Sequence, residues 1–528
     1  MTSFNLVEQP WIPVVDRRWQ IQEISLMALL ETWQDWREIQ AENPPTTYAL
    51  YRFLLAILHR AYQGPTDLDH WEEIRQDNGK RAIAYLREYQ ECFDLLHPER
   101  PFMQDRAIAN NESTPVYSFA EMQADNTSTV FSHEHQHSNY SISFSQAARL
   151  LIRLQGFDPT SLRGFYPQCK GNRSAASTTT INAANVLVYD VNLQKILLQN
   201  LMQYDPEGEI PSAVQGEDQP SWETSYGGPP AKTIPRGLIH YLTYPWRRLW
   251  LQCAAEKVTG IAITMGDSLP EAISASQWEC AIAYREDKPV RLSLDKQLWR
   301  DAHVFLQSAE KSHRPRIVEW FARLAYEEFV QERVTLRVYG LSADKAKPLG
   351  WGVEQLSAPK AYLTEKRLWE SLVASIAWAE DHRQIFKAFR GSPYYVLAEK
   401  LNPETTGGDA ISSQASQLAD ALDGEARYWL TLDREFPFLL DNLINDAETD
   451  ADGVTRYGLK EIPKWKERVQ QTARDAFMES IASIKDFRAR SLALQALHRK
   501  LAELRASPEE RQAKKQSKSK TKKEKKAS

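Results

Sequence analysis

The stretch that organises the chain runs from Phe131 to Asn182. It opens on Phe131-Ser132-His133-Glu134-His135-Gln136-His137-Ser138-Asn139, a polar loop headed by one aromatic. Ala147, Leu150, Leu151 and Leu154 then recur at helical spacing, with Arg149 and Arg153 on the other face, so a short amphipathic helix is expected. Gly156-Phe157-Asp158-Pro159 breaks that helix. The chain next passes Arg163-Gly164, Lys170-Gly171 and Arg173 into Ser174-Ala175-Ala176-Ser177-Thr178-Thr179-Thr180. Small residues let a backbone approach a ligand closely, and hydroxyls, N–H groups and cations suit phosphate oxygens. Arg163, Lys170 and Arg173 are therefore candidates for phosphate contact. An ordinary solvated surface loop accounts for the same residues.

Before this stretch, Trp11-Ile12-Pro13-Val14-Val15, a turn at Asp16-Arg17-Arg18 and a return through Trp19-Gln20-Ile21 read as a β-hairpin. Helices are expected over Ser25–Trp33, Thr46–Tyr62 and Arg81–Leu96, and Phe102 and Met103 after Pro101 read as core plugs. After it, Val186–Tyr189 reads as a buried strand and Asn192–Met202 as a helix. Residues 205–235 form a long Pro-, Gly- and Glu-rich loop. Val290–Leu294 and Val334–Val338 read as strands flanking a helix, Arg316–Glu332. Tyr339-Gly340-Leu341 leads into an exposed turn at Ser342–Lys347. From about Glu365 helical periodicity takes over, in segments 366–390, 411–422, 425–445, 462–484 and 486–506, the pattern of a helical bundle.

With 528 residues the chain exceeds one core, and 42% hydrophobic and 26% charged residues mark an ordinary soluble composition. Met1 to Glu8 lack the basic-then-apolar pattern of a secretory leader, and no long apolar run spans a membrane, so a cytoplasmic protein is expected. Cys92, Cys169, Cys253 and Cys280 form no C-x-x-C pair, which argues against a zinc knuckle or a disulfide scaffold. Residues 511–528 hold Arg511, eight lysines and Glu524, a net +8, which leaves −13 on the rest of a chain whose total is −5. An acidic body does not coat nucleic acid non-specifically, so any contact falls on a local basic site.

Trp11-Ile12-Pro13-Val14, Arg100-Pro101-Phe102-Met103-Gln104, the loop at Phe131, Leu162-Arg163-Gly164, Thr243–Leu251 with Arg247-Arg248, Tyr339-Gly340-Leu341, and Tyr428-Trp429-Leu430 with Phe436 and Phe438-Leu439-Leu440 follow one another in order. In that order and spacing they resemble the large subunit (CasA) of Cascade, the type I-E CRISPR surveillance complex. The resemblance implies an α+β fold, with a mixed α/β N-terminal domain (1–364) for recognition of the flanking motif, or PAM. A C-terminal four-helix bundle (365–506) would follow; the tail beyond it (507–528), outside the resemblance, reads from its Lys-rich composition as disordered. It also implies a non-catalytic subunit without cofactor that finds the PAM in double-stranded DNA, starts unwinding and helps recruit the effector helicase-nuclease. Expected partners are the target DNA, the 5′ handle of the CRISPR RNA, and the backbone, small and handle-binding subunits, with no membrane. By the resemblance, Phe131, Ser132 and His133 face the RNA handle and its subunit. Gly156, Phe157, Asp158, Pro159 and Thr160 form the loop that reads the minor groove. Ala343, Asp344 and Lys345 form a wedge. Only Gly156 of the glycine loop is retained, and the wedge position, often glutamine, is Lys345.

Two other classes stay open at this point. His133, His135 and His137 alternate and, with Glu134, could hold a metal in a nuclease; or the chain is a purely structural scaffold. Arg247 and Arg248 either grip phosphate or pair with the acidic body; adjacent on a strand, they point opposite ways. Neither a phosphate-binding Walker loop nor a G-x-S-x-G elbow is present.

Overall fold

A charged turn between apolar runs makes the first element a hairpin. Strand β1, Ile12–Val15, pairs antiparallel with β2, Ile21–Ile24, in the register Ile12↔Ile24. The return strand starts later than the sequence suggests, because Asp16 accepts from the Arg18 and Gln20 N–H groups and holds those residues in the turn. Ser25 caps helix α1, Leu26–Thr32, and β3, Glu38–Ile39, pairs with the other side of β1. The structure, a computed structural model, describes residues 3–120, 140–167, 169, 173–205, 217–224, 226, 228–293, 296–326 and 332–505. The chain divides into two units, Met1–Thr364 and Glu365–Ser528.

Helix α2, Pro44–Tyr62, sits at the centre of the first unit. Asn43 caps it by accepting from the Thr46 N–H, Pro44 and Pro45 fill positions that need no N–H donor, and left-handed Gln63 closes it. Nearly all of its residues are buried, as expected of a helix apolar on every side. Helices α3, Leu68–Asp77, and α4, Lys80–Glu88, follow. The single helix expected over Arg81–Leu96 ends early: a 3-10 turn at Gln90–Phe93 brings Phe93 and Leu95 into the core.

Helix α5, Phe144–Gly156, begins with a reciprocal capping box between Ser143 and Gln146. Its expected basic outer face does not exist, since Arg149 and Arg153 are both 4% exposed. Arg149 is accommodated by Glu23, Glu42 and the Trp11 carbonyl, which sequence periodicity cannot reveal. Short strands β4, Ser161–Leu162, and β5, Ser174–Ala175, pair with each other. Strand β6, Asn185–Tyr189, and helix α6, Leu193–Asn200, come next. Then β7, Arg247–Ala254, and β8, Lys257–Met265, form a hairpin. Helix α7, Arg316–Tyr326, precedes the long hairpin of β9, Arg333–Asp344, and β10, Lys347–Pro359. β9 also pairs with β6, giving the order β10-β9-β6. Val290–Leu294 is not a strand among its described residues; Val290 is tied to Ala184 and Ala283 by single backbone hydrogen bonds instead.

The second unit is helical. Four long helices, α8 Lys366–His382, α11 Gly424–Asn445, α12 Glu461–Ser480 and α13 Phe487–Leu504, are joined by two shorter ones, α9 Pro393–Leu401 and α10 Gly408–Leu422. Helix α9 was not expected from the sequence; Ser392 caps it and Pro393 starts it. Buried aromatics lock these helices through their polar ends. Tyr428 donates to the Ala379 carbonyl (2.8 Å) and Trp465 to that of Ser375 (3.0 Å). Each such ring adds about 1.5–3 kcal/mol by burial.

Candidate nucleic-acid interface

Gly156 ends α5, and the chain enters the loop Gly156–Thr160 at the end of a helix held on both sides. Gln155 clamps that end to β7, donating to the Arg247 carbonyl (2.8 Å) and accepting from the Arg247 N–H (3.0 Å). Within the loop Phe157, Asp158 and Pro159 are buried, while Gly156 and Thr160 are half-buried. Phe157 packs edge-on to Tyr48 of α2 at 5.8 Å. In the loop expected to read the minor groove, Phe157, Asp158 and Pro159 are thus nearly covered, and Gly156 and Thr160 are the more exposed residues.

Asp158 is the anchor of the loop. Its carboxylate accepts from Arg163 Nη2 (2.6 Å) and Arg247 Nε (2.5 Å), and all three side chains are almost completely buried. Burial pushes the Asp158 carboxyl up, but the two guanidiniums outweigh it and hold it below the usual carboxylate range. Arg163 is therefore no phosphate ligand; its charge is committed to Asp158. The arginine pair divides as strand alternation requires. Arg247 goes to Asp158, while Arg248 goes to Asp267 (2.9 Å) and Asp105 (3.8 Å), so both serve the fold.

The Ser/Thr run also has structural work. Ser177 accepts from the Thr160 N–H (2.9 Å), Thr178 from the Asp158 N–H (3.3 Å), and Thr180 donates to the Gly156 carbonyl. Thr160 itself donates to the Ala175 carbonyl (2.9 Å). These hydroxyls satisfy the loop backbone instead of awaiting phosphate. Arg173 is exposed, lies 5.0 Å over the Phe165 ring, and donates from Nε to the Arg163 carbonyl (2.8 Å), which keeps it a candidate cation.

The same run reaches the hairpin. Asn182, in the left-handed region at φ 58°, accepts from the Ala343 N–H (2.8 Å) and donates to its carbonyl (3.0 Å). Its own N–H donates to Leu341 (2.9 Å). Ala343 is thus buried just below the turn, while Asp344 and Lys345 are exposed at the tip. Lys345 holds φ 53° in a two-residue turn closed by Asp344↔Lys347. Tyr48 also packs against Tyr339 of β9 at 5.8 Å, so one residue of α2 touches both the loop and the hairpin strand. A crevice results, lined by Arg153, Phe157, Asp158, Pro159 and Arg163 on one side and by Leu341, Ala346 and Pro348 of the hairpin on the other. Two segments far apart in sequence, Arg153–Arg163 and Leu341–Pro348, therefore share one surface feature. Nothing in sequence pointed to Gln155, Tyr48 or Asn182, because their roles exist only once distant segments meet.

Phe131, Ser132, His133, His135 and His137, Lys170 and the tail 507–528 lie outside the described residues. Among the described residues no group of three or more His, Cys, Asp or Glu is arranged to hold a metal ion, and no helix is long and apolar enough to cross a membrane.

Known proteins match along almost the whole chain. The family model for CRISPR-associated protein Cse1 matches residues 5–476. CRISPR-associated protein CasA/Cse1 of Thermus thermophilus is 28% identical over 473 residues, covering 85% of this chain and 89% of that protein. The crystal structure of Thermus thermophilus CasA superposes with TM-score 0.76 at 23% identity, over 95% of this chain and all (100%) of that one. A chain of a CRISPR RNA-guided surveillance complex gives 0.74 at 18% identity, covering 96% and 100%. These likenesses establish the mixed α/β fold with its helical C-terminal part, and the family model, which spans well over half the sequence, establishes the lineage: the chain belongs to the CRISPR-associated protein Cse1 (CasA) family.

Proposed function

We propose that this chain is the large subunit of an RNA-guided CRISPR surveillance complex and that it recognises the PAM in double-stranded DNA and begins duplex opening. The observation that carries the reading is the meeting of the Gly156–Thr160 loop with the Lys345 hairpin around one crevice. Readout in such a site falls on the loop edge at Gly156 and Thr160 and on the exposed cation, not on Asp158. The minor groove presents few distinguishing groups, which suits a short and permissive motif. The Lys345 turn then inserts at the first base step. Unstacking a step costs a few kcal/mol, which flanking contacts and guide pairing offset. A hairpin clamped at Ala343 by Asn182 resists bending as it inserts.

In this reading the subunit carries no catalytic group and needs no cofactor. Phe131, Ser132 and His133 contact the RNA handle and the subunit that holds it, and the helical unit meets the displaced strand or neighbouring subunits. The same surface recruits the effector helicase-nuclease. The test is binding of a duplex library with a randomised flank by the assembled complex, with and without this chain. Enrichment of a short flank only when the chain is present supports the reading; equal binding without it leaves a scaffold.

A further inference from the structure

Arg153 is buried, yet among the described residues no carboxylate lies within ion-pair distance of it; Asp158 is taken by Arg163 and Arg247, and Glu42 by Arg149. Its one hydrogen bond among the described residues is to the Phe119 carbonyl. A buried guanidinium without a carboxylate in contact is costly, and burial pushes its pKa down to about 10 against the more distant pull of Asp158 and Glu42. The side chain lines a cavity of about 220 Å³ between α5 and the start of α2, apart from the hairpin tip. Leu150 and Thr46 give buried walls, and Glu42 and Gln146 an exposed rim.

The wall is rich in donors and poor in free acceptors. The Asn43 amide oxygen accepts from the Thr46 N–H and the Gln146 amide oxygen from the Ser143 N–H, which fixes both amides and leaves their NH₂ ends without a partner among the described residues. Glu42 at the rim accepts from Arg149 through Oε1, and that ion pair offsets its charge toward an anion. The N-terminus of α2 adds its partial positive charge but few free N–H groups, since Pro44 and Pro45 have none and Thr46 is capped. A ligand for this wall must be compact, anionic and rich in acceptor oxygens.

We propose that this cavity binds a phosphate group, held by Arg153 with Asn43 and Gln146. A water needs at least about 10–15 Å³ of such space, so the cavity takes a phosphate with part of its hydration shell. A guanidinium matches two phosphate oxygens at once. Arg153 also borders the crevice beside the hairpin, whereas Asn43, Gln146 and Leu150 line this cavity alone, so the Leu150 variant separates the two readings. Its phosphate comes from a free anion or from a nucleic-acid backbone.

The experiment is thermal unfolding of the full chain at fixed ionic strength, titrating inorganic phosphate against chloride and, in a second arm, a short oligo-uridylate. The expected result is a saturable rise in Tm with phosphate. It weakens by roughly tenfold or more in apparent affinity for Arg153→Gln, the loss of charge-assisted hydrogen bonds. It is also lost in Leu150→Phe, which fills the cavity and keeps every charge, and which decides the matter where Arg153→Gln fails to fold. Competition by oligo-uridylate assigns the phosphate to a nucleic-acid backbone, and absence of competition to a free anion. No saturable rise, or the same rise in both variants, overturns the proposal.

Discussion

Asp158 and Arg247 lie 89 positions apart and meet in a buried ion pair, Nε to Oδ2 2.5 Å, with Arg163 on the other carboxylate oxygen. The loop that family resemblance assigns to DNA is thereby held from within by its own acidic residue. Removing the carboxylate strands two buried cations, so Asp158→Asn is expected to lower unfolding free energy by about 3–5 kcal/mol at neutral pH. The folded carboxyl titrates below its ordinary value, so this contribution is full above the unfolded pKa of about 3.9 and is lost as pH falls below it. Urea unfolding of both proteins should show a gap that narrows below about pH 4. A gap that stays constant through that range would sink the assignment.

His59 gives the opposite charge type with the same direction. It is 1% exposed, bonds through Nδ1 to the Gly64 carbonyl (2.8 Å), and burial pushes it down to about 4. The unfolded chain protonates near pH 6.5 while the folded one stays neutral, so stability falls by about 1.4 kcal/mol per pH unit between 6.5 and 4. His59→Gln should flatten that part of the profile when stability is followed against pH.

Asn182 fixes the hairpin just below its turn from a left-handed backbone. Asn182→Gly keeps that conformation and drops both side-chain bonds, at about 1–3 kcal/mol. Hydrogen exchange at the Ala343 amide should speed up in this variant. Unchanged protection there would mean that the strand pairing alone holds the turn end.

Arg173 is the one phosphate candidate of the three that is both described and exposed. If it meets a backbone phosphate, Arg173→Ala reduces the slope of log affinity against log salt by about 0.9 for duplex DNA bound to the assembled complex. An unaltered slope confines Arg173 to the Phe165 ring and the Arg163 carbonyl.

Much of the fold was legible in the sequence. Ser25 capping α1, the apolar period of Thr46–Tyr62, the apolar run of Val186–Tyr189 and the β9–β10 turn each carry a local signal that the structure follows. The site was less legible. Arg149 and Arg153 sit at spacings that suit a solvated helix face, and only Glu23 and Glu42, more than 100 positions away, make burial of Arg149 tolerable. Asp158 read as a residue facing DNA because its partner Arg247 belongs to a different hairpin. The Ser174–Thr180 hydroxyls suit phosphate in composition, yet the loop backbone beside them uses the same donors and acceptors.

The measurement closest to the central claim is fluorescence of 2-aminopurine placed at the first base step beside the flank, in complexes carrying this chain or its Lys345→Ala variant. Alanine keeps the same backbone demand at φ 53°, so the substitution isolates the side chain. The account predicts a rise in fluorescence on binding with the native chain and a clearly smaller rise with the variant, with complex assembly unchanged. Equal rises, or loss of assembly in the variant, would contradict a wedge at Lys345.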